Sequence, residues 1–234
     1  MSISENIAVV QERVRAAARQ AGRPLEDIAL MAVTKTHLPQ VIWEAYRAGI
    51  RLFGENRVQE FAAKKSSLSE LAEADWHMIG HLQTNKAAKA VELFQAIDSV
   101  DSIKLAEKLD SVARIQNKTL PVLIEINVGG EGAKSGVPPE SKELDEIFHA
   151  AERFEALQFQ GLMTVPPFTE NPEGARPYFR KMRELRDAIQ TRRMPAIEMR
   201  VLSMGMSHDF AVAIEEGSTC VRVGTAIFGE RARV

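Results

Sequence analysis

A lysine at the end of an apolar run is the residue in this sequence best suited to covalent chemistry. In the segment MAVTKTHLP, residues 31–39, Lys35 follows apolar residues and stands between Thr34 and Thr36. Burying a lysine costs several kcal/mol unless its amine is paired, neutralised or chemically used. An amine whose pKa is lowered by its surroundings attacks carbonyl carbons and forms Schiff bases. The simpler interpretation is that Lys35 marks the point where a strand leaves the interior for solvent.

Two segments further along the chain combine glycine with hydroxyl side chains, as phosphate-binding loops do. The candidate phosphate ligands in LSMGMSHDF and RVGTAIFG are Ser203, Gly205, Ser207, Gly224 and Thr225. The first segment precedes a predicted helix, whose free N–H groups and dipole favour an anion. A purely structural interpretation is that Ser207 or Asp209 caps that helix. Capping explains Ser207 but not the Gly-Thr turn, so we predict a phosphate site.

A lysine beside a phosphate site fits two chemistries. In a class I aldolase, Lys35 would form a Schiff base with a sugar phosphate. In a protein that holds pyridoxal 5'-phosphate (PLP), Lys35 would form an internal aldimine with the cofactor. The spacing of the residues does not separate these two chemistries.

The elements that must position these residues are eight strand-like apolar runs that alternate with amphipathic helices. The predicted strands are IALMAVTK (28–35), RLFGEN (51–56), DWHMIG (75–80), AIDSVD (96–101), LPVLIEINV (120–128), FQGLMTVP (159–166), EMRVLSMG (198–205) and TCVRVGTAIFG (219–229). The predicted helices cover 4–21, 39–49, 57–72, 84–94, 102–116, a segment through Phe154, 174–192 and 208–217. Continuous apolar runs indicate parallel strands covered on both faces. We predict an α/β protein, a single domain over residues 1–234 that forms a (β/α)8 barrel of the TIM type with an extra N-terminal helix; a doubly wound open sheet is the alternative.

Polar residues collect at the C-terminal ends of the predicted strands, where barrel enzymes build their active sites. The residues at these ends are Lys35, Glu55, Asn56, His77, His81, Gln83, Asn85, Lys86, Asn127, Lys134, Met163, Thr164 and Arg222. Any one of them would serve equally well as a satisfied hydrogen-bonding group at a strand end. Their convergence on one predicted rim favours a functional pocket.

Composition and charge exclude several other classes of function. The formal net charge is -2, so no general basic field attracts nucleic acid. The one cysteine, Cys220, excludes an internal disulfide framework and suits a reducing compartment. No apolar run reaches the length of about 20 residues needed to cross a bilayer, and the first 22 residues do not resemble a signal peptide. We therefore expect a cytoplasmic protein with no membrane or nucleic-acid partner, and we predict no metal site.

Six motifs together resemble the family of pyridoxal phosphate homeostasis proteins. The motifs are AVTKTHLP, LFGENRVQE, WHMIGHLQTNK, INVGGEGAKSG, GLMTVPP and LSMGMSHDFAVAIEEGSTCVRVGTAIFGER. They follow the order of the family and extend over nearly the whole chain. The resemblance implies one barrel similar to the N-terminal domain of bacterial alanine racemase. Two residues depart from the family pattern, Arg57 in place of tyrosine and His81 in place of proline. Both are expected beside the pocket, so they leave the PLP expectation intact and bear on ligand or partner specificity.

The resemblance also implies a role for each candidate site residue. Lys35 would carry PLP as a covalent aldimine, and Arg222 would face the pyridine nitrogen. Asn56 would line the pocket near the cofactor ring. The phosphate would be held by the segments that contain Ser203, Gly205, Ser207, Gly224 and Thr225. Lys86 and Lys134 lie on rim loops and are candidates for secondary acceptor amines, although solvated loop charges explain them more simply.

The function that follows from the resemblance is the buffering or delivery of PLP, with an indirect effect on amino-acid and keto-acid balance. A guanidinium is permanently cationic and disfavours a protonated pyridine nitrogen, which discourages deep carbanion chemistry. A PLP-dependent amino-acid racemase or lyase is the alternative. Alanine racemase also needs a base from an additional C-terminal β-domain, which we do not expect here, and the two tyrosines fall in predicted helices. We therefore expect a protein without catalytic turnover, a monomer whose partners are PLP and PLP-requiring apo-enzymes.

Overall fold

Each predicted apolar run overlaps one strand, and the eight strands close into a parallel barrel. The strands are β1 (Ala29–Val33), β2 (Leu52–Glu55), β3 (Asp75–Met78), β4 (Ala96–Val100), β5 (Leu120–Glu125), β6 (Leu157–Met163), β7 (Ile197–Met206) and β8 (Cys220–Val223). In this computed structural model, which describes residues 1–132 and 134–229, every strand pairs with its neighbours in sequence order. Pairing of β1 with β8 closes the barrel, with Met31 opposite Arg222. The predicted TIM-type barrel is confirmed, and the open sheet is wrong.

Helices cover the outside of the barrel, and most connect successive strands. The α-helices are α1 (Ile3–Gln20), α2 (Pro39–Arg47), α3 (Val58–Lys65), α4 (Ala87–Leu93), α5 (Ile103–Ile115), α6 (Lys142–Ala151), α7 (Arg176–Thr191), α8 (Phe210–Glu215) and α9 (Thr225–Phe228). Short 3₁₀ helices cover Leu25–Asp27, Ser66–Leu68, Thr84–Lys86 and Pro172–Ala175. The extra helix α1 begins with a capping box, because the Ser2 hydroxyl accepts from the Glu5 N–H while the Glu5 carboxylate accepts from the Ser2 N–H.

The last predicted strand is too long, because its second half is helix. β8 ends at Val223, and α9 follows Gly224 directly. The apolar side chain of Ile227 is buried, and the Asn6 side chain of α1 donates to the Ile227 carbonyl at 2.8 Å. This segment packs against α1 instead of extending the sheet, so its apolar residues are buried without strand pairing. The result places Thr225 in the first turn of a helix.

The larger part of the core lies between the barrel and the surrounding helices. Four aromatic rings stack in a row there, from Phe53 and Trp76 of the barrel to Phe61 of α3 and Phe94. Their centroids are 4.7 to 4.8 Å apart, and all four side chains are at most 2% exposed. Aromatic pairs at this spacing gain energy beyond the area they bury. This row joins β2 and β3 to α3, the helix that approaches Lys35.

One glycine allows two strands to approach more closely than other residues permit. A Cβ placed on Gly161 in β6 would lie 1.8 Å from the Val201 carbonyl oxygen of β7. The register of the pair shifts between Phe159 and Gly161, which accommodates this contact. Only glycine fits the position without moving the strands apart.

Parts of two family motifs lie outside the described residues. These are Ala133 in GGEGAKSG and Glu230 and Arg231 at the end of GTAIFGER. Among the helices of the described ranges, none combines the length and the hydropathy required for crossing a bilayer.

Candidate functional site

A cavity of about 340 Å³ opens at the C-terminal ends of β1, β2, β7 and β8. Its wall includes six of the eight predicted site residues: Lys35, Asn56, Ser207, Arg222, Gly224 and Thr225. We call this space the mouth cavity. The barrel brings these residues together because parallel strands present their C-terminal ends on one rim and because β1 and β8 are neighbours.

Lys35 lies in a tight turn directly after β1. The Thr34 side chain is fully buried, and its hydroxyl donates to the Glu55 carboxylate at 2.5 Å. Thr36 adopts a φ of 66°, a left-handed conformation that is unusual for a β-branched residue. The Lys35 side chain is half-buried in the wall of the mouth cavity. The turn therefore places the Lys35 amine at the wall of the cavity, where it could react with the carbonyl group of a molecule bound there.

Ser207 and the turn before α9 form a cluster of hydrogen-bond donors. The Ser207 hydroxyl oxygen accepts from the N–H groups of Gly224 and Ala226, each at 3.2 Å. The N-cap residue of α8 is Asp209, which makes no side-chain capping bond either, since its carboxylate accepts from the Met206 N–H at 2.6 Å. The hypothesis that Ser207 is only a helix cap is therefore wrong. An anion that binds at this turn would accept from the Ser207 O–H and would compete with the Ser207 oxygen for the two backbone N–H groups, which now donate to it.

Arg222 forms the inner end of the mouth cavity. Its guanidinium is 4% exposed and donates to the Ser203 hydroxyl and the Thr164 carbonyl, each at 2.7 Å. Burial lowers the pKa of Arg222 from its ordinary value, while nearby acidic groups oppose that effect. The two hydrogen bonds fix the direction of the guanidinium, so it presents donors to the cavity and no acceptor.

Ser203 and Gly205 do not line the mouth cavity, which differs from the direct phosphate contact predicted for them. Ser203 is fully buried in β7, and its hydroxyl is taken up by Arg222. Gly205 has a φ of 92°, and a Cβ there would lie 2.5 Å from the Cβ of Ala213 in α8. Ser203 orients the arginine, and Gly205 allows α8 to pack against the end of β7.

Three buried oxygens at the rim accept no hydrogen bond within the described residues. One is Oδ1 of Asn56, which lies in the wall of the mouth cavity. The other two are Oε2 of Glu55, at the end of β2, and Oε2 of Glu125, at the end of β5, where the Glu125 side chain is 9% exposed. Burial raises the pKa of Glu125 to about 7, Asp101 adds to that effect, and Arg222 and His81 oppose it. An orphaned acceptor at the cavity is a place for a donor on a ligand.

A second cavity, of about 570 Å³, adjoins the first across Asn56. Its wall includes Lys86 and also Arg57 and His81, the two residues that depart from the family pattern. His81 lies 2.8 Å from the Asp101 carboxylate. Lys86 therefore belongs to the rim but not to the mouth cavity.

The other rim lysine, Lys134, is held by its own loop. Its amine donates to the Pro166 carbonyl at 3.3 Å and forms an ion pair with Glu131. Asn127, which was predicted at the rim, also organises this loop, because its side chain donates to the Glu131 carbonyl at 2.9 Å. Neither Lys134 nor Asn127 lines the mouth cavity.

His77 was predicted at the same rim, but it lies at the opposite end of the barrel. It lines a cavity of about 540 Å³ with Asp98 and Cys220, and its Nδ1 is 2.9 Å from the Asp98 carboxylate. Burial lowers the pKa of His77, but Asp98 and Asp75 outweigh burial and raise it to about 10. Burial raises the pKa of the Cys220 thiol to about 12, so this buried cysteine is a poor nucleophile. β3 covers Asp75–Met78, and the residue of this segment that lines the mouth cavity is Ile79, two positions after His77.

Sequence comparison places the chain among known proteins. A family model described as alanine racemase, N-terminal domain, matches residues 6–232. The pyridoxal phosphate homeostasis protein of Aquifex aeolicus is 47% identical over 231 residues, which is 99% of each chain. The chain belongs to this family. The pyridoxal phosphate homeostasis protein of Pseudomonas aeruginosa is 40% identical over 230 residues, 98% of this chain and 96% of that relative. The predicted resemblance is confirmed.

A solved structure of the same family agrees with the barrel described above. PipY of Synechococcus elongatus PCC7942, solved with PLP bound, is 36% identical and superposes with a TM-score of 0.83. The match covers 97% of this chain and all of that one. The likeness extends over the complete barrel and includes the rim that carries the mouth cavity.

Several residues that line the mouth cavity of the present protein were not predicted from its sequence. They are Val33, His37, Ile79, Val165, Met206, His208 and Gly229. The His37 ring packs on Phe228 of α9 with centroids 4.6 Å apart, and His208 packs on Phe168 at 5.6 Å. His37 stands two positions after Lys35, so proximity along the chain was a usable signal. The apolar members carry no such signal, because an apolar residue at a strand end looks like any core residue.

Proposed function

We propose that this chain binds PLP in the mouth cavity, attached covalently through Lys35, and serves PLP homeostasis by holding the cofactor and delivering it. The observation that carries the proposal is the meeting of a lysine, an anion-binding turn and a buried arginine on one cavity of about 340 Å³. Membership in the pyridoxal phosphate homeostasis proteins and the likeness to PLP-bound PipY support the same cofactor.

The donors around the cavity match the chemical groups of PLP. The Ser207 hydroxyl would donate to the phosphate, the N–H groups of Gly224 and Ala226 would shift from the Ser207 oxygen to the phosphate, and Thr225 adds a second hydroxyl. The unpartnered Oδ1 of Asn56 would accept from a protonated group at the cofactor ring. Ser203 and Gly205 do not line the cavity. Ser203 would act by orienting Arg222, and Gly205 by allowing α8 to pack against the end of β7.

The covalent step joins the Lys35 amine nitrogen to the aldehyde carbon of the cofactor, and the aldehyde oxygen leaves as water. PLP supplies this aldehyde and a ring that can accept electrons. Arg222 would face the ring nitrogen with donors alone, so it would not keep that nitrogen protonated. The ring is then a weak electron acceptor, which suits a carrier better than a catalyst of carbanion chemistry. Tyr46 and Tyr178 lie in α2 and α7 and do not line the cavity, so neither is placed as a second base.

The proposal extends to the surroundings in which the protein works. We infer a single-domain monomer in the cytoplasm that passes PLP to PLP-requiring apo-enzymes. Lys86 and Lys134 are candidates for accepting the cofactor during transfer, because both amines lie on loops of the same rim. Their substitution together would then slow release of PLP without preventing its attachment to Lys35.

The test is the visible absorption spectrum of the protein, with and without added PLP and before and after borohydride reduction. We expect a yellow protein whose band disappears on reduction and leaves a pyridoxyl group on Lys35, located by peptide mass spectrometry. Lys35→Ala should form no band, while Lys86→Ala, the matched control on the same rim, should form it. A wild-type protein that stays colourless with added PLP would overturn the proposal and return a sugar-phosphate aldolase to first place. Exchange of the α-proton of a small amino acid, dependent on Lys35, would show an enzyme instead of a carrier.

A further inference from the structure

A second lysine, Lys64 of α3, forms hydrogen bonds with the turn that carries Lys35. Lys64 is 8% exposed, and its Nζ lies 2.6 Å from the Glu55 carboxylate. The same Nζ donates to the Thr34 carbonyl at 3.0 Å and to the His37 carbonyl at 3.5 Å. One buried ammonium thus holds both ends of the turn that contains Lys35.

A carboxylate of the same helix holds the middle of the turn. Glu60 Oε1 accepts from the Thr36 N–H at 2.5 Å and lies 3.2 Å from Lys64 Nζ. Thr36 has the left-handed φ of 66°, which costs free energy for a β-branched residue and persists only where the surroundings hold it. The hydrogen bond from Glu60 acts on the strained residue itself.

We propose that Lys64 and Glu60 are positioning residues for Lys35: together they hold the turn of residues 34–37 in the left-handed conformation that directs the Lys35 amine into the mouth cavity. This inference rests on the proposed function, because it concerns the geometry of the same attachment. Neither residue lines the mouth cavity, so neither contacts the cofactor. Their effect passes through the backbone of Thr34, Thr36 and His37.

A general structural role for this network is the competing explanation. Lys64 neutralises the fully buried Glu55, and its removal would leave a buried charge without a partner. Lys64→Met would therefore damage the fold whether or not Lys64 positions Lys35. Glu60 is 28% exposed, so Glu60→Ala can release the turn in a folded protein.

The experiment compares the full-length wild type with Glu60→Ala, Glu60→Gln and the double variant Glu60→Ala with Thr36→Gly. Lys65→Met is the matched control, because Lys65 is the next residue of α3 and contacts the rings of Phe61 and Trp76 instead of the turn. PLP attachment is followed by the visible band and by borohydride trapping on Lys35. Labelling of the Lys35 amine with acetic anhydride, without PLP, reports its environment independently. Urea unfolding midpoints identify any variant that has lost its fold.

We expect Glu60→Ala to weaken PLP attachment about tenfold or more, since a small misplacement of a reacting group has effects of this size. Its Lys35 labelling rate should also differ from that of wild type. Glu60→Gln keeps an acceptor for the Thr36 N–H and should stay near wild type, as should Lys65→Met. Glycine accepts a left-handed φ without steric cost, so Thr36→Gly should restore part of the attachment lost in Glu60→Ala.

Two outcomes would overturn the inference alone. One is a folded Glu60→Ala variant with wild-type attachment and labelling. The other is a loss in Glu60→Ala that Thr36→Gly does not restore, because the loss would then be structural. A wild-type protein that forms no reducible band would overturn the proposed function, and this inference with it.

Discussion

Replacement of Glu125 by glutamine should remove a large part of the pH dependence of stability between pH 5 and 8. The Glu125 carboxyl is 9% exposed, one of its oxygens has no partner within the described residues, and burial raises its pKa to about 7. The groups that act on it are Asp101, which raises the pKa further, and Arg222 and His81, which lower it. Glutamine has the same shape and no charge, so the substitution isolates the cost of ionising this position.

The sign follows from the order in which the folded and unfolded chains lose the proton. Below pH 4.5, the ordinary value, Glu125 is protonated in both states and folding keeps its full stability. As the pH rises the unfolded chain ionises first, so stability falls until the folded carboxyl ionises too, near pH 7. The interval between the two pKa values corresponds to about 3 kcal/mol, of which about 2.5 kcal/mol is lost between pH 5 and pH 8.

The assay is urea unfolding of the unloaded protein at pH 5, 6, 7 and 8, for the wild type and for Glu125→Gln. The variant should gain about 2.5 kcal/mol relative to wild type between pH 5 and pH 8. Glu107→Gln, an exposed position on α5, provides the control for removing one negative charge. Parallel stability curves for wild type and Glu125→Gln would refute the reasoning, because they would show that the folded protein does not resist ionisation at this site.

Two further predictions concern positions away from the mouth cavity. Gly161→Ala should destabilise the protein by about 3 kcal/mol or more, because its Cβ would collide with the Val201 carbonyl, whereas Gly132→Ala, with open space around it, should unfold at the wild-type urea concentration. Asp98→Asn should lower the free energy of unfolding by about 3 kcal/mol at pH 7, because it removes the nearer carboxylate partner of protonated His77. The loss should be smaller near pH 10, where His77 of the wild type gives up its proton and the ion pair no longer exists. NMR titration of His77 in Asp98→Asn should give a pKa well below 10; an unchanged titration or an equal loss at both pH values would contradict this account.

The barrel itself could be predicted from the sequence because strand length, apolar continuity and helical periodicity agree along the chain. Lys35, Asn56, Arg222 and Gly224 were found for the same reason, since each stands at or just beyond the end of a clear strand. His77 differs from these residues because it lies inside the run DWHMIG and not at its end, two positions before Ile79, which lines the mouth cavity. The apolar segment after Gly224 is as compatible with a sheet as with the short helix that packs on α1.

Other parts of the site depend on tertiary contacts that the sequence does not encode locally. Glu60 and Lys64 have the spacing of an ordinary exposed helix pair, yet Lys64 is buried and reaches across to the turn after β1. Thr36 has a left-handed φ and donates its N–H to Glu60 of that helix, a contact between residues 24 positions apart. Glu125 was available from the sequence, because a glutamate inside the apolar run LPVLIEINV has the same oddity as Lys35.

The seam where β1 meets β8 has a consequence for synthesis on the ribosome. Lys35 emerges from the ribosome long before Arg222 and Gly224, which lie on the neighbouring strand and just after it on the same cavity wall. A nascent chain that stops before residue 222 can pair β1 with β2 but has no partner to close the ring. Closure of the last seam and completion of the pocket are then the same event, so a molecule with a finished pocket is one whose translation has passed the eighth strand.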